Sequence, residues 1–510
     1  MTKDANQEGL IVGVAGAGAM GRGIAQVAVT GGCTVRLFDA KPGAAEAAKT
    51  FIADMLGRNV EKGRMAQEDA DAAVARIEVV DAMAGFAGSD CVIEAVIENL
   101  DVKHAIFKEL EAICGDDCIL ASNTSSLSIS TIASVCAKPE RVAGMHFFNP
   151  VPLMKLVEII DGVRTDPAVG DFLMVLGRRM SRESVRVKDA PGFLVNQVGR
   201  GYNVETVHIA MDGVAEPADF DRILRDACGF RMGPFELLDL TAIDVTHPAS
   251  CLIYEQFYHE PRYRPATMLQ IRMDAGLLGR KVGKGFYGYA SGKSDAPDEA
   301  PAPAYDGRPV WVSDVLEEFA DKLKEIVVAA GAPLETGDEP SPDALILVTP
   351  LGDDATTAAT DQGLDPTRTI AVDCLFGLET RRTLMKTSVT DPAFTAAAHG
   401  LLGGGEVKAT VIGDTPGFVT QRVVAAICNI GCSVAQQRTA EPEDIDKAVK
   451  LALNYPKGPL EFGDFVGPEK IVTILDNIRK LTGDPRYRLV PWLRRRAQLG
   501  VSLLTPEARY

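Results

Sequence analysis

The chain has 510 residues, of which 46% are hydrophobic and 24% charged, with a formal net charge of −17. That length exceeds one ordinary hydrophobic core, so two to four domains are expected. The acidic balance argues against nucleic acid or anionic membrane as the main partner, but not against an anionic cofactor, whose phosphates need only local amides and a few basic side chains. No apolar run approaches the roughly 20 residues of a membrane span. The polar start MTKDANQEGL lacks a signal-peptide core, so a cytoplasmic location is expected. The ten cysteines are scattered. Cys114/Cys118 and Cys428/Cys432 are four apart, yet neither pair has further ligands nearby, so reduced thiols and no metal are expected.

Leu10 to Ala15 reads as a buried parallel strand. Gly16-Ala-Gly18-Ala-Met-Gly21 and a helical run to Thr30 follow, which is the GxGxxG arrangement in a strand–turn–helix setting. Gly16 permits the tight turn, Gly18 lets the backbone approach a pyrophosphate, and Gly21 allows close helix–strand packing. A second strand, Thr34 to Phe38, ends in Asp39, placed to accept adenosine ribose hydroxyls. Its charge would repel a 2′-phosphate, so NAD is favoured over NADP.

Residues 43 to 75 read as helical, with an exposed basic patch at Arg58, Lys62 and Arg64 that is either a solvated face or a phosphate contact. Strands are expected at Ile77 to Val80, Cys91 to Val96 and Cys118 to Ser122, with the loop MAGFAGSD before the second of these. A helix entered through Glu98 and Lys103 ends near Ile113. The strand Cys118 to Ser122 ends in a hydroxyl cluster of Ser122, Thr124, Ser125 and Ser126. The next strand, Arg141 to Met145, delivers His146 at its carboxyl end, and Glu158 follows in MKLVEII. Ligands bind at that edge of open parallel sheets. A histidine with a carboxylate behind it and hydroxyls ahead of it is a proton-transfer arrangement. His104 and His208 lie in helical runs, and His247, His259 and His399 in polar or irregular surroundings; none of the five has such neighbours.

SNTSSL, GMHFFNPVPLMKLVEII, DAPGFLVNQ, GFRMGPFELLDL and GRKVGKGFYGY resemble the L-3-hydroxyacyl-CoA dehydrogenase family, over residues 10 to 290. The resemblance implies that His146 is the catalytic base and Glu158 its partner. Ser125 and Asn196 would hold the reacting oxygen, and Asn149 would order the same crevice. It further implies that Glu98, Lys103 and Lys281 touch NAD, and that Lys62, with Arg58 beside it, meets the coenzyme A of an acyl-CoA substrate. The expected architecture is an α/β Rossmann-like domain (1–190) followed by an all-α domain (191–290), with helices expected at Gly192 to Met211, Asp219 to Cys228 and Phe235 to His247.

Residues 291 to 310, rich in proline, alanine and acids, read as a linker. Beyond it the chain repeats itself. Asp166-Pro-Ala recurs as Asp391-Pro-Ala, Pro191-Gly-Phe as Pro416-Gly-Phe, Ala215-Glu-Pro as Ala440-Glu-Pro and Gly233-Pro as Gly458-Pro, each pair 225 residues apart. That register indicates an internal duplication. The copy comprises a degenerate Rossmann-like segment (311–410) without GxGxxG and a second all-α domain (411–510) without the closing GRKVGKGFYGY block. Cys374-Leu-Phe-Gly-Leu-Glu379 stands where HFFNP stood, and Gln421 where Asn196 stood. A structural role is expected for this half. Its helices would either dock on the first helical domain as an intramolecular pseudo-dimer or leave the chain to homodimerise.

The expected function is NAD-dependent oxidation of a (3S)-3-hydroxyacyl-CoA to the 3-ketoacyl-CoA. Resemblance to relatives with this duplicated layout suggests 3-hydroxybutyryl-CoA or, as in phenylacetate breakdown, 3-hydroxyadipyl-CoA as substrate. The alternatives are a dehydrogenase of the same fold acting on a free hydroxy acid, and a non-catalytic structural homologue.

Overall fold

A computed structural model describes residues 4–290 and 292–508. The outer ends of three expected segments, residues 1–3, Ser291 and 509–510, lie outside the described residues. The chain forms two compact units. One runs to Asn196 and takes in Gln437–Leu453; the other comprises Gln197–Gln436 and everything from Asn454 onward.

The first unit is built on eight strands: β1 Ile11–Ala15, β2 Thr34–Phe38, β3 Ile77–Val79, β4 Cys91–Glu94, β5 Ile119–Ser122, β6 Val142–Phe147, β7 Leu156–Asp161 and β8 Glu183–Lys188. Their order is β3-β2-β1-β4-β5-β6-β7-β8. All neighbours are parallel except β6 and β7. Strands β4, β5 and β6 are buried along their whole length, which is why they read as continuous apolar runs rather than alternating ones. The direction of winding reverses between β1 and β4, and that switch point opens a crevice at the carboxyl ends of the strands.

The second unit contains a five-stranded sheet: β9 Val310–Val312, β10 Leu345–Val348, β11 Thr369–Val372, β12 Arg381–Lys386 and β13 Lys408–Ile412. Its order is β13-β12-β11-β10-β9, and only β11 and β12 run antiparallel. This is the topology of β8 back to β4. Among the described residues no counterparts of β1 to β3 exist, so the copy has lost the whole half of the fold that carries the glycine turn. The bare edge of β9 is covered by the segment around Leu334: Val310 N donates to Pro333 O at 2.8 Å, and Glu335 N donates to Val310 O at 2.8 Å.

The duplication is written in the backbone as well as in the sequence. Phe193 and Phe418 both have φ of 49°. Ala242 (φ 69°) answers to Gly467 (φ 101°), and Gly229 (φ 77°) to Asn454 (φ 54°). Asp189 accepts from Ser130 N at 2.8 Å, and Asp414 accepts from Ala355 N at 2.8 Å. Asp239 holds the closing block through Phe286 N at 2.8 Å. The copy lacks that block, yet its Asp464 accepts from Leu503 N at 2.7 Å, so the short tail takes over part of its anchoring.

Several expected elements differ in detail. Residues 43 to 75 form two helices, Ala44–Glu61 and Gln67–Ala75, and the loop MAGFAGSD contains a 3-10 turn at Met83–Phe86. The expected helix Phe235 to His247 is broken into Pro234–Thr241 and Ile243–Gln256, because Ala242 takes a left-handed conformation. His247 sits on the second of these helices and His399 on the helix Pro392–Leu402, not in irregular chain. His146 lies inside β6, not beyond its end.

Each half lends a helix to the other half's sheet. In the first unit the helix Pro442–Leu453 packs on β7 and β8, and Lys188 N donates to Thr439 O at 2.8 Å. In the second unit the helix Pro217–Cys228 packs on β12, and Gly413 N donates to Val214 O at 2.7 Å. Both residues of one hydrogen bond are 225 positions from those of the other, so the same contact is made once in each unit. The second unit also pairs the two sets of helices. A Cβ on Gly201 would come within 3.0 Å of Ile427 Cα. Buried Glu205 takes Arg422 at 2.8 Å, Arg486 at 2.9 Å and the Tyr487 hydroxyl at 2.5 Å.

Candidate active site

The glycine turn follows β1. A side chain on Gly16 would strike Ala95 O at 2.5 Å, and one on Gly21 would strike Gly16 O at 1.8 Å, so both positions require glycine for packing. Gly18 faces open space instead. It begins the helix Ala19–Thr30, and no side chain caps that helix. Asp39, at the end of β2, accepts from Ala17 N at 2.7 Å and from Lys41 N at 2.8 Å. An open cradle, an uncapped helix N-terminus and an adjoining carboxylate fit a dinucleotide.

The pair His146 and Glu158 comes from adjacent antiparallel strands. His146 on β6 stands directly opposite Glu158 on β7, and its Nδ1 lies 2.6 Å from Glu158 Oε2. Glu158 is fully buried; its other oxygen accepts from Leu194 N at 3.2 Å and Val195 N at 2.9 Å, the start of the helix Val195–Met211. Those amides fix the orientation of the carboxylate. With Nδ1 engaged, Nε2 is the nitrogen left to exchange a proton. Phe148 and Phe193 flank the ring, with centroids 4.5 and 5.9 Å away.

The hydroxyl loop after β5 is organised by Glu98. One oxygen of that carboxylate accepts from Thr124 Oγ1 (2.6 Å), Ser125 N (3.0 Å), Ser126 N (3.1 Å) and Ser126 Oγ (2.7 Å). Burial alone would push the Glu98 carboxyl up, but Thr124, the Lys103 ammonium and Ser126 outweigh it and hold it below its ordinary value. Asn123 joins this loop to the histidine strand, accepting from Phe147 N at 2.8 Å. Sequence reasoning missed Asn123, although it lies inside SNTSSL, because an asparagine among hydroxyls gives no sign of which backbone it will meet.

Ser125 is exposed, and Asn196 is the second residue of the helix whose amides hold Glu158. Asn149 is exposed in the turn after β6. Lys103 is buried between two carboxylates: Glu94 at 2.7 Å and Glu98 at 3.3 Å. Arg58 and Lys62 are exposed at the end of the helix Ala44–Glu61. Lys281 belongs to the second unit, where it pairs with Asp244. Among the described residues no group of His, Cys, Asp or Glu is placed to hold a metal, and no helix is long and apolar enough to cross a membrane.

In the copy the residue at the histidine position is Asp373, not Cys374. Asp373 N donates to Thr383 O at 3.0 Å, and Thr383 stands where Glu158 does. Gln421, in place of Asn196, fills the site. It donates to Asp373 at 3.0 Å and to Pro350 O at 3.3 Å, and accepts from Gly352 N at 2.9 Å. Nothing there pairs an imidazole with a carboxylate.

Residues 11–190 match the family model of the 3-hydroxyacyl-CoA dehydrogenase NAD-binding domain. Residues 192–289 and again 417–503 match that of the 3-hydroxyacyl-CoA dehydrogenase C-terminal domain. A 3-hydroxyadipyl-CoA dehydrogenase of Escherichia coli K12 is 34% identical over 96% of this chain and 97% of its own length. A probable 3-hydroxybutyryl-CoA dehydrogenase of Bacillus subtilis is 40% identical over 54% of this chain and 96% of its own. The crystal structure of a 3-hydroxybutyryl-CoA dehydrogenase from Escherichia coli K12 superposes with a TM-score of 0.84 at 33% identity, covering 97% of this chain and 99% of that one.

Proposed function

The chain belongs to the 3-hydroxyacyl-CoA dehydrogenase family and is an NAD-dependent enzyme of that kind, and from this premise we propose that it converts a short (3S)-3-hydroxyacyl-CoA to the 3-ketoacyl-CoA with His146 as general base. Bound NAD supplies the acceptor for the hydride leaving the secondary alcohol carbon. His146 Nε2 takes the hydroxyl proton, and Glu158 both fixes the tautomer and stabilises the imidazolium. Run backwards, the same imidazolium returns the proton to the alkoxide. Donors on Ser125 and Asn196 stabilise charge on that oxygen, each worth about 3 kcal/mol in good geometry. Gly16, Gly18, Gly21 and Asp39 hold the dinucleotide, and Arg58 and Lys62 attract the coenzyme A phosphates.

The observation that carries this reading is the buried 2.6 Å His146–Glu158 pair, joined through Asn123 to the hydroxyl loop. Relatives that share both halves carry the names 3-hydroxyadipyl-CoA and 3-hydroxybutyryl-CoA dehydrogenase, which supports a short acyl group with a dicarboxyl form included. The paired helices of the second unit support a pseudo-dimer within one chain, and we place the enzyme in the cytoplasm. NADH formation should be measured with 3-hydroxybutyryl-CoA, 3-hydroxyadipyl-CoA and longer homologues. Turnover with these thioesters and none with free 3-hydroxybutyrate is the expected result. Equal turnover of the free acid would overturn the role of coenzyme A.

A further inference from the structure

Glu94 ends β4 with its carboxylate fully buried, and the proton transfer itself makes no use of it. One of its oxygens accepts from Lys103 Nζ at 2.7 Å and Val96 N at 2.8 Å. The other accepts from Ser122 Oγ at 2.6 Å, across to the end of β5. Lys103 is 1% exposed, and its second carboxylate partner is Glu98 at 3.3 Å. Glu98 in turn gathers two hydroxyls and two amides of the Ser125 loop on its other oxygen.

We propose that Glu94 is a positioning residue for the dehydrogenase reaction: it anchors the Lys103 ammonium, which aligns Glu98, which holds the loop that presents Ser125. The inference rests on the functional reading above. A buried ammonium needs a buried counter-charge. Glu94 is that charge, whereas the Glu98 side chain remains 36% exposed. Without the Glu94 charge the ammonium has only Glu98 to turn to. That carboxylate would be drawn toward it and away from the four donors it now gathers. Lys103 thus acts through Glu98.

The test is Glu94→Gln in the full-length enzyme, read by amide hydrogen exchange and by kinetics. Exchange at the Ser125 and Ser126 amides should quicken by about tenfold as their acceptor is displaced. The kcat should fall by roughly tenfold to a hundredfold, the scale of a misplaced reactive group. Lys103→Met should do the same, and the double variant should be no worse than either single one. Glu94→Asp, which keeps the charge but draws it back, should fall between wild type and Glu94→Gln and serves if the glutamine variant does not fold. A lower Tm with unchanged loop exchange and kcat would show a mere core strut and overturn the proposal, as would strictly additive losses in the double variant. The exchange result stands apart from the substrate assignment: a wild-type enzyme inactive on every acyl-CoA would sink that assignment and leave the loop measurement readable.

Discussion

Glu158 divides its carboxylate between two tasks: one oxygen meets His146 Nδ1 at 2.6 Å, and the other is held by the first amides of the helix that carries Asn196. In the proposed mechanism these are the base, its orienting acid and a donor for the substrate oxygen, and three elements fix them to one another. His146→Gln should lower kcat by about 10²- to 10⁴-fold. Glu158→Gln should lower it less, because Nε2 survives while its tautomer and charge support are lost. Steady-state NADH production compares the three enzymes, and a His146→Gln enzyme with wild-type turnover would favour a structural homologue instead.

Asp39 should decide between the two nicotinamide dinucleotides. Its charge sits at the end of β2 beside Ala17 N in the glycine turn. Asp39→Asn removes the charge but keeps an acceptor for that amide, so the turn survives. The ratio of kcat/KM for NAD to that for NADP should fall by at least about tenfold, since only the repulsion of a 2′-phosphate is lost. An unchanged ratio would place the discrimination elsewhere.

The glycine turn and the contact of His146 with Glu158 were readable because their signals are local. The glycine turn needs particular residues at fixed spacing, and a histidine and a glutamate 12 residues apart fall opposite each other once β6 and β7 are paired. Glu94 and Asn123 were not readable, because a carboxylate ending an apolar strand looks like any polar punctuation until Lys103 is folded beneath it. The missing β1 to β3 of the copy were visible only as the loss of GxGxxG. The strand β10 is the counterpart of β5 rather than β1, a distinction that needs strand order. At the histidine position a strict register of 225 gives Ala371 and the motif comparison gives Cys374, whereas the strand pairing gives Asp373, a slip of two residues that no landmark marks.

Acid should loosen the pairing of the two helical sets. Burial would raise the Glu205 carboxyl, but Arg486, Arg422 and the Tyr487 hydroxyl more than offset that and hold it below its ordinary value of 4.5. A depressed carboxyl contributes stability that is fully present above its unfolded pKa and is lost as pH falls below it. Wild-type stability should therefore drop below about pH 4.5, a fall that denaturant titration would follow. Glu205→Gln should already cost about 3–5 kcal/mol at pH 7, because it leaves two buried guanidinium groups without their shared counter-charge. Its stability should then vary less with acid. A variant that tracks wild type at every pH would show the cluster to be inert.

Removing residues 300–510 should not yield a stable monomer. The helix Pro442–Leu453 covers β7, the strand that carries Glu158, and Thr439 O takes the Lys188 amide beside it. Truncation uncovers that strand together with the Gly201 and Glu205 face of the first helical set. The helix that answers to Pro442–Leu453 is Pro217–Cys228, which the fragment retains but which a single copy has bound on β12 of the lost half. A second copy of the fragment could supply it reciprocally, the helix of each molecule covering β7 and β8 of the other. Light scattering of the purified fragment should accordingly report a homodimer, with activity that falls on dilution, or else the fragment should be insoluble. A soluble, monomeric and fully active fragment would mean that β7 holds Glu158 in place without its covering helix.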